Sequence, residues 1–437
     1  MTDIIFSFDT EDFTSCRAAD GILAIANLLR EEGIRGCFNL VGLLAEQLVN
    51  WGRTDVLDAL KYHEVDFHSY GHTLHPCLNE YTDIEDFTAA YNEVMRQETK
   101  GLAMVRSSTG TGRIYGACPP GNNENYVAMY AYSDMGIPIY DGDLIDTPDG
   151  SGAFFCNMLY LHYFQSFEDF ILEQNLDLDP AYIETLAKRK TAILYNHPNR
   201  LLYWMFWDAV NYHSGINHHP FGEWEEAEPM TEEEHRMFME RIRAFIRKLK
   251  ADGRFRFTTY QEVAEQRCDN QVRMLRPSDM PGIHAQLKEK FWPVNEPVSL
   301  SVSDVFAACV KFLGGAPLFS AGRVYGFLDT PYAITEPVTV SAKDVREAAS
   351  KVDLGWFLPE SFMVGEIKLG PADFLFAMLE TLEGAETLTL QPRAQDFDLT
   401  YFGHLADPVL NKWMFSPDFK AEILKKRTLL QAWTLRL

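Results

Sequence analysis

Along the first two-thirds of the chain, short apolar runs that end in polar clusters alternate with stretches of helical spacing. Ile4-Ile5-Phe6-Ser7-Phe8 is rich in β-formers and stops abruptly in Asp9-Thr10-Glu11-Asp12. Gly21 to Glu32 then places Ile22, Ile25, Leu28 and Leu29 on one helix face and closes at Gly33. Gly36-Cys37-Phe38-Asn39-Leu40-Val41 predicts the next strand. A helix over Trp51 to Tyr62 leads into Val65-Asp66-Phe67, and another over Asp83 to Gly101 precedes a strand at Arg113-Ile114-Tyr115-Gly116. Ile137 to Tyr140 and Thr191 to Tyr195 are further strands, running into Asp141-Gly142-Asp143 and Asn196-His197-Pro198. Arg236 to Lys250 predicts an amphipathic helix and Arg254 to Thr259 the last strand.

Such alternation implies a parallel sheet covered by helices, either a β/α barrel or a doubly wound sheet. In a barrel the C-terminal strand ends converge on one face, where distant loops build one site. Asp9, His68, Asp141 and His197 all fall just after predicted strands, a recurrence that scattered surface polars would not give.

The pattern changes after Cys268. Val298 to Val305, Val338 to Val345 and Ile367 to Phe374 align as a weak internal repeat, each an extended piece feeding a capped helix. Ser301 and Ser341 are candidate N-caps with Asp304 and Asp344 three residues on, and Gly370-Pro371 offers Gly at the cap and Pro at the first helical position. We therefore expect one domain over 1–267 and a mainly α-helical repeat domain over 268–437.

A net charge of −24 over 437 residues argues against nucleic acid or an anionic membrane as partner and leaves neutral ligands such as sugars open. The seven cysteines are scattered without a Cys-x-x-Cys pair and are expected to be reduced. No window approaches eighteen apolar residues, and the first residues lack a basic region with a long apolar run. We expect neither a membrane span nor a signal peptide, and a cytoplasmic location.

Phe67-His68-Ser69-Tyr70-Gly71-His72-Thr73-Leu74-His75 puts three of the twelve histidines within eight residues. His68 and His72 stand four apart, so on a helical turn or a tight loop both rings can face one point at the roughly 2 Å that zinc-type ions require. A solvated helix face is the alternative, and the carboxylates and histidine at the other strand ends weigh against it.

Together, Ser7-Phe8-Asp9-Thr10-Glu11-Asp12, His68-Ser69-Tyr70-Gly71-His72, the Pro119-Pro120 turn and Leu194-Tyr195-Asn196-His197 resemble the polysaccharide deacetylase family of chitin, peptidoglycan and xylan deacetylases, over about residues 1–267. The resemblance implies a distorted β/α barrel that hydrolyses N- or O-acetyl groups on a carbohydrate with one divalent ion, usually zinc. It implies His68 and His72 as metal ligands, Asp9 as general base for the attacking water and His197 as general acid for the leaving group. The family's usual second aspartate is replaced by Thr10, so Glu11 or Asp12 must complete the metal site. Strand alternation favours Glu11.

The resemblance also implies substrate-side roles for Pro119 and Pro120 and a substrate-side or support role for Asp141 and Asp143. The arginine that normally precedes the Pro-Pro turn and holds the catalytic aspartate is here Cys118, with Arg113 or Arg200 as candidate substitutes. Asn199 to Glu228 is rich in aromatic and histidine residues, including Trp204, Trp207, His213, His218 and His219, and could wall the site for sugar stacking or serve only packing. The C-terminal repeats are distantly similar to pseudomurein-binding repeats, which implies glycan or wall binding. A scaffold for bracing or for homo-oligomer formation is the alternative. Two other functions stay open: an amidohydrolase acting on a non-sugar amide or cyclic ureide, and a non-catalytic glycan-binding protein with a decayed site.

Overall fold

Strand β1 (Thr2–Thr10) is buried along almost its whole length and pairs with strands on both edges. In the computed structural model, which describes residues 1–166, 168, 180–212, 222–269, 272–397 and 414–437, β1 runs parallel to β2 (Cys37–Leu40). The parallel series continues through β3 (Glu64–Phe67), β4 (Gly116–Ala117) and β5 (Ile139–Gly142). A short strand, β6 (Ala153–Phe155), intervenes in sequence before β7 (Met158–Ser166) and β8 (Thr191–Asn196) complete the ring back to β1. The result is a closed barrel of seven parallel strands with helices in the connections, the distorted β/α barrel predicted. β9 (Phe255–Thr258) lies beside Thr2–Ile5 of β1, on the edge where β2 takes over at Ser7.

Alternation along β1 divides its side chains between two environments. Phe6 packs on Phe245 of the helix Glu232–Ala251, and Phe8 stacks on Phe38. Ser7 and Asp9 instead bond to Asn39, and Ser7 also receives the Tyr260 hydroxyl. Tyr260 reaches this position because Gly116 has no side chain: a Cβ there would stand 2.5 Å from the Tyr260 ring.

Some elements differ from the sequence expectation for identifiable reasons. The helix expected at Trp51–Tyr62 is the shorter Thr54–Leu60, and a helix the sequence pattern did not mark, Gly42–Asn50, precedes it; Gly52, with a φ of 68°, separates the two. The helix expected from Asp83 begins at Phe87, where the Asp86 side chain caps the Ala89 N–H, and runs to Thr109. β7, which the sequence pattern did not mark, pairs with β8 through a register shift between Tyr163 and Gln165.

The chain divides into two compact units. The first comprises Met1–Gly152, Met158–Asp269 and the described part of Tyr401–Leu424; the second comprises Ala153–Asn157, Asn270–Thr400 and Lys425–Leu437, less their undescribed residues. In the second unit, Ser301 and Asp304 form a capping box on the helix Val302–Leu313, and Ser341 caps Ala342–Ala349 through the Asp344 N–H. Gly370 with Pro371 opens Pro371–Leu382. Asp304 is buried and also takes a two-pronged contact from Arg436 at 2.6 and 2.9 Å.

Candidate active site and metal centre

The polar residues that end β1 are all buried, yet they serve different partners. Asp9 accepts a hydrogen bond from Asn39 Nδ2 at 3.0 Å. Two residues on, Glu11 brings Oε2 to 2.9 Å from His72 Nε2 and 3.5 Å from His68 Nε2. Burial opposes the charge on Glu11, but His72, His68 and His197 hold its carboxyl well below the usual range. Asp12 turns elsewhere: its Oδ1 accepts the Thr14 N–H and hydroxyl at 2.9 and 2.6 Å. Burial raises its pKa to about 7. The structure therefore brings Glu11, and not Asp12, to the two histidines.

The histidine segment leaves β3 as a tight loop rather than a helix. Ser69 and His72 lie in the left-handed region, with φ of 65° and 49°, which non-glycine residues adopt at a cost and which recurs at functional sites. The loop is held by the Gly42 and Leu43 N–H groups, which donate to the Ser69 and Tyr70 carbonyls at 3.0 Å, and by Ser69 Oγ, which accepts the His72 N–H. Glycines permit this close seating, since a Cβ on Gly101 would lie 2.7 Å from Tyr70 Cα. Donor atoms of Glu11, His68 and His72 all fall within 4.8 Å of one another, and all three residues are buried. Two imidazole nitrogens and a carboxylate oxygen in that arrangement fit a divalent ion.

His197 follows β8. Its Nδ1 lies 3.1 Å from Glu168 Oε1, and its backbone N–H donates to the other oxygen of Glu168 at 3.0 Å. Burial disfavours a charged imidazole here, but Glu168, Glu11 and Asp9 outweigh it and raise the His197 pKa to about 10. Nε2 stands 3.8 Å from Asp9 Oδ2, and the ring meets Phe206 edge-on at 4.8 Å.

Asp9, Glu11, His68, His72 and His197 all line one cavity of about 240 Å³, with Glu168, Asp208 and Phe206 in its wall. The other sequence candidates stand outside it. Pro119 and Pro120 are buried and shape the turn that delivers Gly121 and Asn122 to the cavity. Asp141 bonds to the Tyr260 hydroxyl, and burial with nearby Asp9 raises its pKa to about 8. Asp143 pairs with His162 at 3.0 Å. Trp204 is exposed and packs on Phe238, whereas Trp207 is buried and donates its indole N–H to Glu11 Oε1 at 3.2 Å. His213, His218 and His219 lie outside the described residues.

Neither candidate arginine reaches Asp9: Arg113 pairs with Asp269, and Arg200 lies over the Phe206 ring. At the expected arginine position, Cys118 Sγ is 3.4 Å from Asp9 Oδ1 and 2.7 Å from His68 Nδ1. Sequence reasoning missed Asn39, Glu168 and Asp208. Asn39 is a lone polar residue inside an apolar strand and was findable on that ground. Glu168 and Asp208 carry no such signal, because neither belongs to a periodic element in the sequence.

No profile of a known protein family matches the sequence, and no curated protein is significantly similar to it. Solved structures do resemble it. A Mycobacterium smegmatis protein assigned as a polysaccharide deacetylase is 16% identical, with 61% of this chain and 89% of that one covered and a TM-score of 0.40. A peptidoglycan deacetylase from Bacillus subtilis, in a mutant form, is also 16% identical (61% and 93% covered, TM-score 0.31). A Bacillus anthracis protein described as a CE4 family pseudoenzyme is 13% identical (60% and 64% covered, TM-score 0.33). Among the solved structures similar to this chain are those of polysaccharide deacetylases and of a pseudoenzyme of the CE4 family.

Proposed function

We propose that the chain is a metal-dependent hydrolase that removes acetyl groups from an N- or O-acetylated carbohydrate. The observation that carries this reading is the convergence of Glu11, His68 and His72 with Asp9 and His197 on one cavity. Glu11, His68 and His72 would hold the ion, and zinc suits a set of two histidines and one carboxylate. When bound, the ion polarises the acetyl carbonyl.

The chain's own residues handle the protons. Asp9, oriented by Asn39, takes a proton from water as the water oxygen bonds to the acetyl carbon. His197 gives its Nε2 proton to the departing nitrogen or oxygen as that atom's bond to carbon breaks. The proton on Asp9 then passes to His197, restoring both groups, and the free amine or alcohol leaves with acetic acid, which loses its proton to solvent as acetate. Glu168, held on Nδ1, keeps the imidazole charged for its donation.

Cys118 favours a second reading, a glycan-binding protein that has lost catalysis, because no arginine supports Asp9 there. For residues 268–437 we retain a non-catalytic role, either in glycan binding or as a dimerisation scaffold. Metal analysis of the purified chain, with acetate release measured on acetylated glycans, decides between the two. A chain that binds no divalent ion, or whose acetate release is unchanged by Asp9→Asn, is not this hydrolase.

A further inference from the structure

Trp207 and Asp208 open the short helix Trp207–Asn211 and reach the site from its outer side. The Trp207 indole packs against Phe13 and Trp224, with centroids at 4.8 and 5.2 Å, and its N–H meets Glu11 Oε1. Asp208 brings Oδ2 to 3.5 Å from His72 Nδ1, and both atoms are buried without a hydrogen bond among the described residues. The other oxygen of Asp208 accepts the Ala209 N–H at 2.8 Å. Asn211 pins the helix in turn: its Nδ2 donates to the Trp207 and Glu225 carbonyls, and its Oδ1 accepts the Glu225 N–H.

Consecutive residues of one anchored helix thus face the outer atoms of two different side chains, Oε1 of Glu11 and Nδ1 of His72. The inner atoms of those same side chains, Oε2 and Nε2, face each other at 2.9 Å. A carboxylate at Nδ1 selects the tautomer that carries its proton there and leaves the Nε2 lone pair free. An indole N–H on one carboxylate oxygen fixes which oxygen points inward. Outer contacts of this kind raise metal affinity by orienting ligands in advance.

We propose that Trp207 and Asp208 are positioning residues that clamp Glu11 and His72 as metal ligands, so that this aromatic segment serves the ion rather than stacking on sugar. The clamp rests on the metal-dependent reading above. Its test is zinc affinity of the full chain, measured by competition with a chromophoric chelator, beside the unfolding midpoint of the metal-free chain. Asp208→Asn should weaken zinc binding roughly ten- to a hundredfold with the metal-free midpoint held, since the carboxylate oxygen it changes has no hydrogen bond to lose among the described residues. Trp207→Phe, which keeps a ring between Phe13 and Trp224 and removes only the N–H donor, should weaken zinc in the same direction and serves if Asp208→Asn does not fold. Wild-type zinc affinity in the folded variants overturns the clamp alone, as does a loss of affinity matched by an equal loss of metal-free stability. A wild-type chain that binds no zinc overturns the metal reading together with the clamp.

Discussion

Glu168 grips His197 at two points, with one carboxylate oxygen 3.1 Å from the ring Nδ1 and the other 3.0 Å from the backbone N–H. One side chain therefore holds the imidazole in position and, with Glu11 and Asp9 behind it, favours its charged form. The His197 pKa of about 10 lies above the ordinary value, so the proton needed for leaving-group donation is present through neutral pH and lost as pH rises through the raised value. We expect acetate release to fall on an alkaline limb. Glu168→Gln removes the nearest negative charge and should shift that limb acidward by about one pH unit or more. A pH–rate profile of the two proteins checks this, and an unmoved limb assigns it to another group.

Asp9 carries the largest expected loss. Asp9→Asn keeps an oxygen to accept from Asn39 Nδ2, so the fold should hold, while acetate release should drop at least about a hundredfold. Zinc binding should persist, because the donor group of Glu11, His68 and His72 does not include Asp9. Measuring acetate and bound zinc on one preparation separates loss of a base from loss of the ion.

Much of this site was legible because strand ends are legible. Short β-forming runs stopping in Asp9, His68 and His197 located three of its residues, and alternation past Asp9 ranked Glu11 above Asp12, as the placement of the two side chains also does. Residues that act through others were not. Glu168 and Asp208 meet His197 and His72 across 29 and 136 positions, and nothing local in the sequence marks such a meeting. The aromatic stretch kept two readings open for a related reason: the sequence shows that residue 207 is a tryptophan, but only its burial and its bond to Glu11 show that Trp207 faces inward. The tight loop carrying His68 and His72 was one of two sequence options, and the helix was lost to left-handed backbone at Ser69 and His72.

The missing arginine can be tested directly. Cys118 is fully buried, and its sulfur touches both Asp9 and His68, so no space is kept for a guanidinium. Cys118→Arg should cost about 1–3 kcal/mol of stability through overpacking and give no gain in acetate release. Cys118→Ser, smaller and still polar, should leave zinc affinity close to wild type. A folded Cys118→Arg chain with clearly increased turnover would instead identify the native site as a weakened one.

A second buried pair, outside the lining of the cavity, makes stability depend on pH. Asp66 Oδ1 accepts the Tyr115 and Gly116 N–H groups at 3.1 and 2.8 Å, and neighbouring Glu64 accepts the Gln261 N–H at 2.8 Å. Burial, then the adjacent Glu64 carboxylate, pushes the Asp66 pKa well above its ordinary value, and burial raises that of Glu64 too. A folded-state pKa above the unfolded one means stabilisation that is full below the unfolded value of about 4 and is lost as pH rises through the folded value. Asp66→Asn keeps an oxygen for both backbone N–H groups and offers Glu64 a fixed donor in place of a shared proton. The variant should therefore match wild type in mild acid and exceed it increasingly toward alkaline pH. Urea unfolding midpoints of the two chains at pH values of about 5 and 9 measure this, and a constant difference between them would show that Asp66 shares no proton with Glu64.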